Sequence, residues 1–139
     1  ASTAQIKNVI AMLQATDSDI GVSFNYAGII PKEITDLFPL GILNAHGGDL
    51  PRYRGNACQA WAILNGEDKI GLCIHRMIGG ELDSGDIIAK DYLAIDHTTK
   101  VTDATTGFME KNGPAVKVAG ALLSAAQINK GRKTKKKAE

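Results

Sequence analysis

Asn44 and His46 stand two residues apart at the end of "GILNAH", and "GGDLPRYRG" follows at once. An imidazole titrates near neutrality and so takes up or gives up a proton at working pH. A carboxamide offers N–H donors that stabilise a developing oxyanion. Strand residues at this spacing project on one face, so the two side chains are presented together. Asp83, in a second glycine-rich segment "IGGELDSGD", supplies a carboxylate that orients an imidazole or supports its charge. Taken singly, each has a plainer role: a strand-end His is a structural hydrogen-bonder, and Asp83 or Asp86 serves a turn. His75, mid-strand, and His97, near a strand end, read as structural or surface residues.

Other chemistries lack their residues. Ser84 has no basic neighbour, and no G-x-S-x-G elbow is present. Neither a P-loop nor G-x-G-x-x-G occurs. No cluster has zinc spacing. A set of Asn, His and Asp without a nucleophile suits direct transfer, in which the acceptor itself attacks a carbonyl while the protein handles the proton and the oxyanion.

The elements that position this set are those of an α/β chain. Ile6, Val9, Ile10 and Leu13 make one helical face, with Ser2 or Thr3 to cap it. "DIGVSF" reads as a buried strand, and Pro31 opens a short helix. "GILNAH", "IGLCIHRM" and "IIAKDYLAI" are the further strands. "NACQAWAILNGE" is a helix capped by Asn56, with Gly66 near its end. Helices are expected over 100–111 and 114–128, broken at Asn112-Gly113-Pro114. Helix alternating with strand predicts a Rossmann-like, largely parallel sheet flanked by helices. Ligands of such sheets bind beyond the carboxyl ends of the strands. The segments 25–30, 44–56 and 78–86 are expected there.

With 139 residues, 44% of them apolar, the chain suits one domain with one core. No apolar run is long enough for a bilayer. Cys58 and Cys73 lack C-x-x-C spacing and sit among apolar neighbours, which predicts buried, reduced thiols in a cytoplasmic protein. The net charge of +1 conceals an asymmetry: "KGRKTKKKAE" holds six of 16 basic residues and one of 15 acidic ones. The body is therefore mildly acidic. Residues 129–139 are expected to be a flexible basic tail behind a domain spanning 1–128; a weak electrostatic handle for phosphate or nucleic acid is the sharper reading.

The stretch 44–88, "NAHGGDLPRYRGNACQAWAILNGEDKIGLCIHRMIGGELDSGDII", resembles the core of the folate-dependent formyltransferases. The family pattern is Asn-x-His, a Leu-Pro loop, an aromatic-Arg-Gly step and Leu-Asp-(Thr/Ser/Ala)-Gly, in that order. The likeness covers residues 19–95. It implies that Asn44, His46 and Asp83 are catalytic. It also implies that a pterin is held by Gly28, Ile29 and Ile30 and by Ile78, Gly79, Gly80, Glu81 and Leu82, with 10-formyltetrahydrofolate as formyl donor. The implied partners are a folate and an amine acceptor, with no membrane; an oligomer is compatible. "CIHRM" favours a nucleotide-linked amino sugar as the acceptor, with methionyl-tRNA second. A formyltetrahydrofolate deformylase, with water as acceptor, would use the same residues, and an inactive folate-binding fragment would keep the motifs. Arg52, Arg54 and Arg76 are candidates for acceptor phosphates or plain solvated residues. "GGELD" is one residue longer than the family's loop. The family's opening strands, and the second domain of its tRNA-directed members, are absent from the sequence. The sheet is therefore expected to be incomplete on its N-terminal side, with a strand edge exposed.

Overall fold

The computed structural model describes residues 3–24, 26–104 and 106. Helix α1 (Thr3–Ala15) leads into β1 (Gly21–Phe24), α2 (Lys32–Thr35), β2 (Ile42–His46), α3 (Cys58–Leu64), β3 (Lys69–Arg76) and β4 (Ile87–Ala94). The readings over 107–111 and 114–128, the break at 112–114, the Ser2 cap and the basic tail lie outside the described residues.

The α/β alternation with flanking helices holds, but the sheet is mixed. Its order is β1-β2-β3-β4. β1 and β2 are parallel, with Ser23 beside Asn44. β3 runs against β2, setting Asn44 beside His75 and His46 beside Cys73. β4 runs against β3, with a register irregularity at Ile74/His75. The 77–86 connection is too short for the helical crossover of a dozen or more residues that a parallel β3–β4 pair needs. The expectation of segments gathered at the carboxyl ends of the strands therefore fails for the third one. Residues 77–86 leave β3 level with the start of β2, where Met77 N donates to Ile42 O.

β3 is the centre of the core. Its alternate residues pack on both faces, and every position from Ile70 to His75 is buried. Ile70 meets Ala62 of α3, Ile95 and Ala104, with Tyr53 and Ile63 around them. β1 and β4 are the edge strands among the described residues, and Val22 (58% exposed) and Phe24 (42%) of β1 are exposed. An exposed edge on that side was expected. In α1, Ile6, Ile10 and Leu13 are half-buried while Val9 is exposed, so the stripe is narrower than its periodicity suggested.

Asn56 does not cap α3. The chain enters that helix through Ala57 in the left-handed conformation (φ 57°), which takes the N-cap place with no side-chain cap bond. Asn56 is thereby moved one residue upstream, onto the wall of a crevice. Pro31 likewise sits in the extended cap position of α2 rather than in its first turn.

Gly71 carries the 47–55 loop. A Cβ there would lie 2.5 Å from Asp49 Cα and 2.8 Å from Asp49 N, inside the closest approach of real atoms. Gly71→Ala is expected to lower stability by about 1–3 kcal/mol through overpacking. Urea denaturation of the two proteins measures it. An unchanged midpoint would show that the loop does not rest on the strand.

Candidate functional site

Strand alternation and the β2–β3 register place Asn44, His46, Cys73 and His75 on one face of the sheet. Asp83 reaches that face from the 77–86 loop. The loop folds back along the 26–35 segment: Gly80 N donates to Ile30 O, and Gly79 lies against Lys32 and Thr35. Asp83 itself takes a left-handed backbone (φ 44°), a conformation that Asp tolerates better than bulkier residues.

His46 Nδ1 lies 3.5 Å from Asp83 Oδ1, longer than a made hydrogen bond. The other carboxylate oxygen accepts from Gly55 N at 2.7 Å. His46 Nε2 donates to Tyr53 O at 2.8 Å. Gly48 allows this: a Cβ there would stand 2.6 Å from Nε2 and 2.7 Å from Tyr53 O. Both ring nitrogens thus face oxygen, and the charged imidazole is the form in which each bears a proton towards it. Asn44 Nδ2 lies 3.1 Å from His75 Nε2. His75 was read from the sequence as a structural or surface residue, yet it is enclosed at the centre of the site. The β-strand register was the missing signal, since a residue paired with Asn44 must share its face.

Asn44, His46 and Asp83 form one wall of a crevice of about 150 Å³. That is below the about 300–1,000 Å³ of pockets that enclose a drug-sized ligand, so the crevice admits reacting groups rather than a whole cofactor. Of the residues that the resemblance assigns to a pterin, Gly28, Ile29, Glu81 and Leu82 line it. Ile30, Ile78, Gly79 and Gly80 do not; Ile30 and Gly80 are joined to each other by backbone. Tyr26, Ile29 and Leu82 give the mouth an exposed apolar rim. None of the three arginines lines the crevice. Arg52 forks onto Glu67, and Arg76 borders a separate groove beside α2.

Burial governs the thiols. Cys58 Sγ sits 3.2 Å from Gly55 O and 3.6 Å from His46 Nε2. Loss of water, and then the Asp83 charge, push its pKa up to about 11. Cys73 is also raised, chiefly by burial. Both are free and buried, as their apolar neighbours indicated. The 47–55 loop is pinned from β4: Lys90 Nζ donates to Asp49 Oδ1 at 2.8 Å and to Leu50 O at 2.6 Å. Burial raises the Asp49 pKa, but the Lys90 bond and charge outweigh it and hold the carboxyl below its ordinary value. The same bond raises Lys90.

The family model described as "Formyl transferase" matches residues 1–118. Among solved structures, a phosphoribosylglycinamide formyltransferase from Bacillus halodurans is 24% identical with a TM-score of 0.68; the match covers 75% of this chain and 53% of that one. A formyltetrahydrofolate deformylase from Pseudomonas syringae pv. tomato is 23% identical with a TM-score of 0.72, over 79% of this chain and 37% of that one. A formyltransferase from Anoxybacillus kamchatkensis, in complex with a UDP-linked formamido sugar and tetrahydrofolate, is 23% identical with a TM-score of 0.66, over 76% and 55%. The chain thus spans about half the length, or less, of these matched structures. Among the described residues, no helix is long and apolar enough to cross a membrane.

Two expectations follow from the site's electrostatics. Cys58 and Cys73 should resist iodoacetamide in the folded protein at pH 8 and react in urea, because only the thiolate is a nucleophile; rapid native alkylation of Cys58, read by mass spectrometry, would contradict its burial. The Asp49–Lys90 pair should stabilise the fold fully between their ordinary values of 3.8 and 10.5. A depressed carboxylate loses its contribution as pH falls through its folded pKa, and a raised ammonium loses it as pH rises through its own. The unfolding free energy of Lys90→Met, from urea denaturation, should therefore trail the wild type by up to about 1 kcal/mol at neutral pH and draw closer to it below the carboxylate range.

Proposed function

The chain belongs to the formyl transferase family, and from that premise we propose that it serves N-formyl transfer from 10-formyltetrahydrofolate to a primary amine on a nucleotide-linked amino sugar. One observation carries the reading: Asn44, His46 and Asp83 converge on one wall of a crevice whose mouth is apolar. That rim suits the face of a flat ring, and the polar wall suits acyl transfer, so the residues present fit a folate. Gly28, Ile29 and Leu82 would hold the ring. When bound, the folate supplies a formyl carbon that leaves N10 for the acceptor nitrogen, while the acceptor's proton is passed to N10.

The chain's own groups handle charge and protons. The Asn44 amide donates an N–H to the formyl oxygen as it gains negative charge. His46, its Nε2–H occupied by Tyr53 O, works from the Nδ1 side, where Asp83 supports its positive charge. Asp83 takes the proton shed by the attacking amine and is itself anchored by Gly55 N. The sugar acceptor is supported by the "CIHRM" sequence and by the UDP-linked formamido sugar in the complex of the Anoxybacillus protein.

Formylation of an amine panel, including nucleotide-linked amino sugars and methionyl-tRNA, tests this beside calorimetric titration with a tetrahydrofolate. Asn44→Ala should lower kcat by about 10²–10³. His46→Ala should abolish transfer, and Asp83→Asn should be nearly as damaging, because the amide keeps the shape without the charge. Folate Kd should change little in all three, since these groups act where charge develops. Near-normal turnover by His46→Ala would overturn the site. Formate release without an amine would identify water as the acceptor.

A further inference from the structure

The steps above leave a buried histidine unused. His75 is 1% exposed, more enclosed than His46. Its Nδ1 stands 3.1 Å from Arg76 O and 3.1 Å from Ser84 O. A carbonyl oxygen can only accept, so Nδ1 carries the proton. In the neutral ring Nε2 then has a lone pair, and the atom 3.1 Å from it on Asn44 must be the donor, Nδ2. The two ends of a carboxamide have nearly the same shape, so packing leaves their orientation open. The proton on His75 closes that choice. It commits one Asn44 N–H to β3 and leaves the second for the crevice that Asn44 lines.

The same ring acts on Asp83. Ser84 follows Asp83 directly, so the Nδ1 bond to Ser84 O ties down the loop just where Asp83 adopts its left-handed backbone. Asp83 Oδ1 lies 3.8 Å from His75 Nε2, outside hydrogen-bond reach, while Oδ2 accepts from Gly55 N. His75 therefore bonds Asn44 and the residue that follows Asp83 without lining the crevice itself.

We propose that His75, held as its Nδ1–H tautomer by two backbone carbonyls, is a positioning residue that sets the orientation of the Asn44 carboxamide and the placement of Asp83. What that orientation serves rests on the formyl-transfer reading; the orientation itself rests on the hydrogen bonds alone.

Long-range proton–nitrogen NMR on nitrogen-15-labelled protein reads the tautomer and the N–H···N bond without substrate. The expected result is an Nδ1–H ring and a coupling across the hydrogen bond between Asn44 Nδ2 and His75 Nε2. An Nε2–H ring, or no coupling in the folded protein, would overturn the proposal. Kinetics supply the second arm. His75→Asn keeps a donor at the Nδ1 position but removes the acceptor for Asn44. It should melt near the wild type yet lose kcat by at least about tenfold, approaching the about 10²–10³ of deleting an oxyanion donor, with folate KM unchanged. His75→Gln restores an acceptor near the Nε2 position and should recover part of that loss. Wild-type kcat in a folded His75→Asn protein would overturn the positioning role. If the wild-type chain moved no formyl group while the coupling was present, the functional reading alone would fall and the orienting contact would stand.

Discussion

The antiparallel pairing of β2 with β3 is the constraint on which the site depends. It sets His75 beside Asn44 and Cys73 beside His46, so a five-residue strand and its neighbour present these four side chains on one face. It also sends the chain out of β3 at the far end of the sheet. The 77–86 loop must then return along the 26–35 segment, and that return delivers Asp83 to the imidazole.

Close backbone approach supplies the second layer. Gly71 lets the 47–55 loop settle on β3, and Gly48 lets Tyr53 O reach the His46 ring. The loop is then clamped from above by Lys90 through Asp49 and Leu50 O. An imidazole caught between a backbone carbonyl and a carboxylate has little rotational freedom, so its proton is presented in one direction. Such preorganisation matters most where charge develops, because no reorganisation is then needed at that moment.

The polar groups at the centre are few and answered by backbone. Gly55 N serves Asp83, Tyr53 O serves His46, and two carbonyls serve His75. Backbone partners do not titrate, so they hold these side chains in place across the pH range in which the side chains themselves change charge. Cys58 lies within the same cluster, yet burial and the Asp83 charge keep its thiol protonated, so a sulfur beside an imidazole does not become a competing nucleophile.

Much of this was legible in the sequence because it is local. Apolar spacing marked α1, all four strands and α3, and alternation put Asn44 and His46 on one face. The ordered motifs from Asn44 to Gly85 pointed to the family that the residue 1–118 match shows. The direction of β3 against β2 was not legible: a strand's apolar pattern reads the same both ways, and its direction is settled by how the connecting chain packs. The role of His75 was hidden for the same reason, since only the register sets it against Asn44. Among the residues matched to the family's pterin loops, Ile30 and Gly80 are joined to each other by backbone, and Ile78 and Gly79 border the groove beside α2. Asn56 had the chemistry of a cap, and the left-handed turn at Ala57 moved it out of place. Residue type and periodicity thus determined which groups were present and which faces they shared; the tertiary structure decided which of them meet, because loop return and strand register arise from contacts between residues far apart in the chain.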